Sequence, residues 1–102
     1  MVRRIHQGWI LKIENIKYPV LVVSKDSFNS IAHQVLACPI LTMVEENALH
    51  IKISTATLSG VVICEQVRLF DLSVRGYKKI GELKIEQIAN ITDTVRSIFD
   101  YY

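Results

Sequence analysis

Residues 60–72 read GVVICEQVRLFDL, a strand-forming run that also carries Glu65 and Arg68. β-branched and aromatic side chains favour pleated backbone, so the run predicts one or two buried strands. The two charges have two explanations: they end a strand at a solvated rim, or they form the polar centre of a site. Side chains three residues apart on a strand point to opposite faces, so Glu65 and Arg68 need not pair. The spacing of Glu65 and Arg68 alone favours two charges at a solvated strand end.

Length and composition limit the class of protein. The chain has 102 residues, 50% of them hydrophobic, which predicts one compact domain over residues 1–102. The net charge of +2 is too small for charge-driven binding of nucleic acid, so any RNA contact must be local. Residues 1–8 lack the apolar core of a secretory signal, and no apolar run is long enough to span a bilayer. We therefore expect a cytoplasmic protein without a membrane segment.

The pattern of apolar residues predicts a mainly β, α+β fold. Short strands are expected at residues 9–13, 18–24, 34–42 and 50–54, and in the run 60–72. Residues 73–81 carry turn formers and charges, which favours a loop. Apolar residues then recur at three- and four-residue spacing and predict an amphipathic helix over 84–100. Five to seven strands and one helix fit an SH3-like barrel, an OB-fold or part of a sandwich, and periodicity does not choose among them.

Three further details of the sequence limit its chemistry. Pro39 falls inside a predicted strand and indicates an edge or a bulge. Cys38 and Cys64 form no CxxC pair and are expected to be reduced core residues. No pair of histidines has metal-ligand spacing, so neither a metal site nor a cofactor is expected.

Four motifs, in this order, resemble those of the MazF/PemK (Kid) toxin endoribonuclease family, of the CcdB/PemK-like barrel superfamily. They are Gly8-Trp-Ile-Leu11, the segment from Tyr18-Pro-Val-Leu-Val-Val-Ser to Phe28-Asn29, Val35-Leu-Ala-Cys-Pro-Ile-Leu-Thr42, and Gly60-Val-Val-Ile-Cys-Glu-Gln-Val-Arg-Leu-Phe-Asp71. Each motif alone is weakly specific. Their order, their separations and the C-terminal helix together carry the resemblance over nearly the whole chain.

The resemblance implies an SH3-like barrel that forms a homodimer and acts as the toxin of a type II toxin–antitoxin system. Such a toxin cleaves single-stranded mRNA at specific short sequences without a metal, and an antitoxin neutralises it. On this basis the expected catalytic residues are Glu65, Tyr18 and Thr42. The expected RNA-binding residues are Lys17, Lys25, Gln66 and Arg68.

Two departures from the family pattern keep a second class of function open. Tyr18 occupies the position of a family arginine before proline, and Ile63 occupies a position that is arginine in some members. Tyr18 can donate a hydrogen bond or stack on a base, but it cannot supply the missing charge. The alternative is a non-catalytic relative that acts by protein binding, such as a CcdB-like gyrase inhibitor or a general interaction module. The terminal aromatics Phe99, Tyr101 and Tyr102 fit a dimer or partner surface under either reading.

Overall fold

The computed structural model describes residues 4–99, which form seven β-strands and two α-helices. The strands are β1 Trp9–Ile13, β2 Val20–Val22, β3 Val35–Leu41, β4 His50–Ser54, β5 Ser59–Ile63, β6 Arg68–Phe70 and β7 Tyr77–Glu82. The helices are α1 Asp26–Ala32 and α2 Ile85–Ser97. The predicted C-terminal helix is present, and Asp100 at its expected end lies outside the described residues.

Strand β3 is the centre of a single antiparallel sheet with the order β4-β5-β3-β2-β1-β7. One edge of β3 pairs with β2, and the other edge pairs with β5 and β6 in succession. Strand β6 pairs with residues 35–37 of β3, whereas β5 pairs with residues 40 and 41. The opening run 60–72 therefore forms two strands along one edge, separated by a turn over residues 64–67.

Pro39 lies in the middle of this central strand, contrary to the expectation of an edge or a bulge. The Ile40 N–H donates to the Pro19 carbonyl at 2.9 Å, on the side of β3 that pairs with β2. The backbone of Pro39 therefore faces the other edge of β3. Among the residues that the structure describes, none pairs with that edge at Pro39, because β5 has ended and β6 has not yet begun. The missing N–H of Pro39 therefore breaks no ladder hydrogen bond.

The sheet curls until its two ends meet, which gives the expected SH3-like barrel. The hydroxyl of Thr57, in the β4–β5 loop, donates to the Ile80 carbonyl of β7 at 2.8 Å. Strand β7 is an edge strand, and within residues 4–99 its sheet partner is β1 alone. The prediction of a loop over residues 73–81 was wrong in its second half, because charges on a solvated edge strand resemble those of a loop.

Two clusters of buried side chains hold the barrel together. One contains Ile10, Leu21, Cys38 and Val62, and α2 covers it through the buried Ile91 with Ile88 and Val95. The other lies on the opposite side of the sheet, around Leu11, Val22, Ala37 and Phe70, with Trp9 and Tyr18 at its margin. Strand β2 is buried on both faces, as its uninterrupted apolar sequence predicts.

Gly8 fixes the approach of α2 to the sheet. Its N–H donates to the Val22 carbonyl at 2.8 Å, and its carbonyl accepts from Leu83 N–H at 2.9 Å, just before the helix. Its φ is +91°, and a Cβ atom would lie 2.3 Å from Cδ1 of Ile88. Both the backbone conformation and the close helix contact therefore require glycine.

We predict that Gly8→Ala lowers the free energy of unfolding by about 2 kcal/mol or more, because it adds backbone strain and a clash with α2. Thermal and urea unfolding measure the change. Gly76→Ala is the matched control, since the nearest atom to an added Cβ there, Oε2 of Glu14, is 3.7 Å away. A control change within about 0.5 kcal/mol is expected. Equal stability of Gly8→Ala and wild type would show that the glycine is dispensable.

Candidate functional site

The Glu65 carboxylate forms an ion pair with His50. Glu65 lies in the turn between β5 and β6, and His50 is the first residue of β4. Nε2 of His50 lies 3.0 Å and 2.9 Å from the two carboxylate oxygens. The side chains are 21% exposed for His50 and 35% exposed for Glu65. The pair is therefore ordered by contacts and still open to a ligand.

The loop before β4 fixes the orientation of the His50 ring. The side-chain oxygen of Asn47 accepts from the N–H groups of Leu49 and His50 at 2.8 Å and 3.0 Å, which makes an Asx turn. The amide nitrogen of Asn47 and the Glu45 carbonyl each lie 3.2 Å from Nδ1 of His50. Nδ1 thus has one donor and one acceptor beside it, so either protonation state of this nitrogen has a partner.

The ion pair shifts the titration of both groups. Hydrogen bonding to Glu65 raises the pKa of His50 above its ordinary value of 6.5, and the Glu45 carbonyl acts in the same direction. Hydrogen bonding to His50 lowers the pKa of Glu65 below 4.5. Each partner stabilises the charged form of the other, so the pair carries a positive and a negative charge between pH 4.5 and 6.5.

Arg68 and Tyr18 form a second polar group on the same barrel. Nη1 of Arg68 lies 3.5 Å from the Tyr18 hydroxyl, and the guanidinium lies over the Phe70 ring at 5.2 Å. Arg68 is opposite Ala37 of β3 in the β6 register. Glu65 and Arg68 therefore face different partners, as their spacing in the sequence indicates.

Thr42 lies directly after β3, in a groove that we call the β4 groove. The polar residues that line it are Thr42, Glu46, Lys52 and Ser59, and its volume is about 260 Å³. The chain turns sharply after Thr42, since Met43 adopts a φ of +59° and its side chain is fully exposed. The groove therefore combines two hydroxyls, an ammonium and a carboxylate at an open edge of the sheet.

Strand register places the ion pair and the β4 groove on one face of the sheet. His50 is opposite Ile63, and Lys52 is opposite Val61. Val61 is in turn opposite Leu41, the residue before Thr42. His50 and Lys52 are two residues apart on β4, so their side chains project to the same side. Across β4, β5 and the end of β3, this face carries imidazole, ammonium and hydroxyl groups.

The remaining predicted RNA ligands are dispersed. Lys17 is exposed in the β1–β2 connection, and Gln66 is exposed beside Glu65 in the β5–β6 turn. Lys25 lines a different groove, between the end of α2 and the sheet, which is mostly apolar. The structure thus brings Gln66 next to Glu65 but not Lys25 to the β4 groove. Their assignment as RNA ligands stays a prediction.

Sequence reasoning did not select His50 or Lys52 as site residues. The signal was present, because residues 50–54 alternate polar and apolar and so predict a strand with one wet face. What the sequence does not show is that this wet face meets Glu65. That contact depends on the register between β4 and β5.

The cysteines and the metal-ligand residues contribute no further chemistry to this face. Burial raises the pKa of Cys38 to about 12 and that of Cys64 to about 11, so both thiols stay protonated in the core. Within residues 4–99, no three His, Cys, Asp or Glu side chains come together as a metal-binding group. No helix in the described part of the chain is long and apolar enough to cross a membrane.

Comparison with protein families matches residues 12–99 to a family described as PemK-like, MazF-like toxin of type II toxin–antitoxin system. The chain belongs to this toxin family. The predicted family is therefore confirmed, and the protein is a toxin of the type II class. The alternative of a non-catalytic relative that acts by protein binding gains no support. A comparison with curated proteins gives no match.

Solved structures show the same fold at low sequence identity. A MazE–MazF complex from Deinococcus radiodurans is 18% identical, with a TM-score of 0.84 over 98% of this chain and 99% of that chain. An endoribonuclease from a mycobacterial species is 16% identical, with a TM-score of 0.84 over 97% of this chain and 94% of that chain. The same type of mycobacterial enzyme bound to its cognate antitoxin has a TM-score of 0.80 at 16% identity, over 93% and 94% of the two chains. These likenesses confirm the barrel with its C-terminal helix.

We predict that the His50–Glu65 pair stabilises the fold most between about pH 4.5 and 6.5, the ordinary pKa values of its two groups. The raised pKa of His50 gives a contribution that is complete below pH 6.5 and is lost as the pH rises through the folded value. The lowered pKa of Glu65 gives a contribution that is complete above pH 4.5 and is lost as the pH falls through the folded value.

Urea unfolding of wild type and Glu65→Gln across pH measures this dependence. The stability difference between them should be largest inside the window and smaller on both sides. Glu82→Gln is the matched control, because in the described part of the chain Glu82 forms an exposed pair with Lys79 on β7 rather than with a histidine. A difference for Glu65→Gln that does not vary with pH would contradict the coupling.

Proposed function

We propose that this toxin is an endoribonuclease that cleaves single-stranded RNA on the face formed by β4, β5 and the end of β3. The observation that supports it most directly is the Glu65–His50 pair beside the β4 groove. A carboxylate held in its charged form is a proton acceptor, and this one is partly exposed on the same face of the sheet as a groove with hydroxyl and ammonium donors. A base for the 2′-hydroxyl and donors for the phosphate oxygens are among the groups that promote cleavage of a phosphodiester by its own 2′-hydroxyl.

The proposed chemistry assigns roles to the three predicted catalytic residues. Glu65 accepts the proton of the 2′-hydroxyl, the 2′-oxygen attacks the phosphorus, and the 5′-oxygen leaves and is protonated to a 5′-hydroxyl. Thr42 donates a hydrogen bond from the rim of the β4 groove to a phosphate oxygen or a base. Tyr18 holds Arg68 through its hydroxyl and offers a ring for a base. No metal is needed, because the 2′-hydroxyl is an internal nucleophile.

Lys52 and Arg68 can supply the positive charge that the family arginines provide. The cleavage transition state spreads negative charge over the phosphate oxygens, and a nearby cation stabilises it. Lys52 lies in the β4 groove with Thr42, and Arg68 lies beside Tyr18. A lysine is a flexible point charge without the paired geometry of arginine, so we expect a slower enzyme than one with arginine at Tyr18 or Ile63.

We also propose that the toxin forms a homodimer and is neutralised by an antitoxin. The groove between α2 and the sheet has a volume of about 260 Å³ and is lined mainly by apolar side chains, including Val67, Val95 and Phe99. Leu69 lies opposite Leu36 of the groove and is 53% exposed, and Phe99 is 78% exposed. Tyr101 and Tyr102 lie outside the described residues. An exposed apolar surface of this kind marks an interaction site, and we propose that a second copy of the chain buries it in the homodimer.

Cleavage of a long mixed-sequence RNA in the presence of EDTA tests the enzymatic proposal. We expect discrete cuts with 2′,3′-cyclic phosphate ends, and Glu65→Gln should slow them by about 10²- to 10⁴-fold, because the proton acceptor is lost. Glu82→Gln removes an exposed carboxylate on the opposite edge of the sheet and should leave the rate unchanged. Intact RNA at high molar excess of wild-type protein would overturn the proposal.

Light scattering after size-exclusion chromatography tests the dimer. We expect a mass of about twice the 11.6 kDa of the chain. Phe99→Ser should weaken association by about tenfold or more, because it removes an aromatic anchor from the apolar groove. Ile85→Ser is the matched control, since Ile85 is a 73% exposed apolar residue at the other end of α2. A wild-type mass of a single chain at micromolar concentration would contradict the proposal.

A further inference from the structure

We infer that His50 is the catalytic acid of RNA cleavage and that it forms with Glu65 a proton-transfer pair that restores itself after each turnover. This inference rests on the proposed ribonuclease function. It adds a residue from β4 that the family motifs quoted above do not contain. His50 donates its Nε2 proton to the leaving 5′-oxygen, while Glu65 accepts the proton of the 2′-hydroxyl.

Nε2 belongs to an ion pair that is partly open at the surface. It faces the carboxylate of Glu65 at 2.9 Å, and both side chains are partly exposed at the surface. One N–H is shared between two carboxylate oxygens, so Glu65 keeps lone pairs for a second donor such as a 2′-hydroxyl. A proton donor and acceptor separated by one hydrogen bond can contact the leaving and attacking oxygens of the same phosphate.

The environment of Nδ1 accommodates the tautomer that the acid needs. After Nε2 has given up its proton, the neutral ring must keep its proton on Nδ1. The Glu45 carbonyl lies 3.2 Å from Nδ1 and accepts that hydrogen bond. The Asn47 side-chain oxygen is engaged by two backbone N–H groups, which fixes the amide beside the ring. The ring therefore stays in place through both protonation states.

Glu65 and His50 together accept and supply all the protons that the step exchanges. The bond from the 2′-oxygen to phosphorus forms, the bond from phosphorus to the 5′-oxygen breaks, and the products are a 2′,3′-cyclic phosphate and a 5′-hydroxyl. Glu65 is then protonated and His50 is neutral at Nε2. Transfer of the proton from Glu65 to His50 along their hydrogen bond restores the starting charges. No proton from solvent is required to reset the site.

The charges around His50 favour its protonated form before the reaction. Glu65 faces it from the β5–β6 turn, and Glu45 and Glu46 lie in the loop before β4. Lys52 is the cation on the same face of β4. The hydrogen bond to Glu65 outweighs the desolvation of the ring, which is why the pKa of His50 is raised.

The rate of cleavage across pH tests the pair in the wild-type protein. The active form has Glu65 ionised and His50 protonated, so kcat/KM should rise through a pKa below 4.5 and fall through one above 6.5. A substrate whose leaving 5′-oxygen is replaced by sulfur needs no acid, because a thiolate leaves unprotonated. With that substrate the fall at alkaline pH should disappear. Persistence of the same fall with the sulfur substrate would overturn the inference.

Variants separate the role of His50 as acid from that of Glu65 as base. His50→Asn should slow cleavage of ordinary RNA by about 10²-fold or more and leave cleavage of the sulfur substrate near the wild-type rate. Glu65→Gln should slow both substrates, because the base acts in both. His33→Asn is the matched control, since His33 ends α1 with a φ of 56°, which asparagine tolerates. Thermal unfolding of each variant verifies its fold.

The other outcomes are decisive as well. Wild-type rates for His50→Asn on ordinary RNA, or equal slowing on both substrates, would overturn the role of His50 while the ribonuclease function stands. A wild-type protein that cuts neither substrate would overturn the ribonuclease proposal, and the acid assignment with it.

Discussion

The structure depends on one constraint, that a single edge of β3 is shared by two strands in succession. Strand β5 pairs with the end of β3 and β6 pairs with its beginning. The chain between them must leave the ladder and return to it, and it does so opposite Pro39, which has no N–H to offer there. The turn over residues 64–67 is the result. It buries Cys64 in the core and places Glu65 at the surface.

The same turn determines which side chain meets Glu65. Cys64 N–H donates to the Leu49 carbonyl at 3.0 Å, which extends the contact between the turn and the start of β4. His50 follows Leu49 and lies opposite Ile63, so its ring projects beside the carboxylate. Backbone pairing in the buried part of the sheet thus orients two groups that are themselves partly exposed. A site supported in this way keeps its geometry without burying its charges, which would cost far more.

The sequence predicted the parts of this arrangement that are local. Alternation predicted β4 with a wet face, three- and four-residue spacing predicted α2, and the motif around Glu65 located the carboxylate. The pairing of Glu65 with His50 is not local, since it joins residues 15 positions apart through the register of β4 on β5. Strand β7 was missed because an edge strand needs no apolar alternation on its exposed side. The prediction for Pro39 was wrong because, within residues 4–99, β5 and β6 leave the edge of β3 unpaired at this residue. The sequence of β3 does not show where its partner strands begin and end.

Nuclear magnetic resonance of the His50 ring nitrogens tests the central claim that β4 supplies a protonated group to the RNA site. We expect both ring nitrogens to carry protons at pH 6.5, with a titration midpoint above that of the ordinary imidazole. An RNA oligonucleotide made uncleavable by 2′-deoxy substitution should shift these signals when it binds. A midpoint at or below 6.5, together with ring signals that the bound oligonucleotide leaves unchanged, would contradict the account.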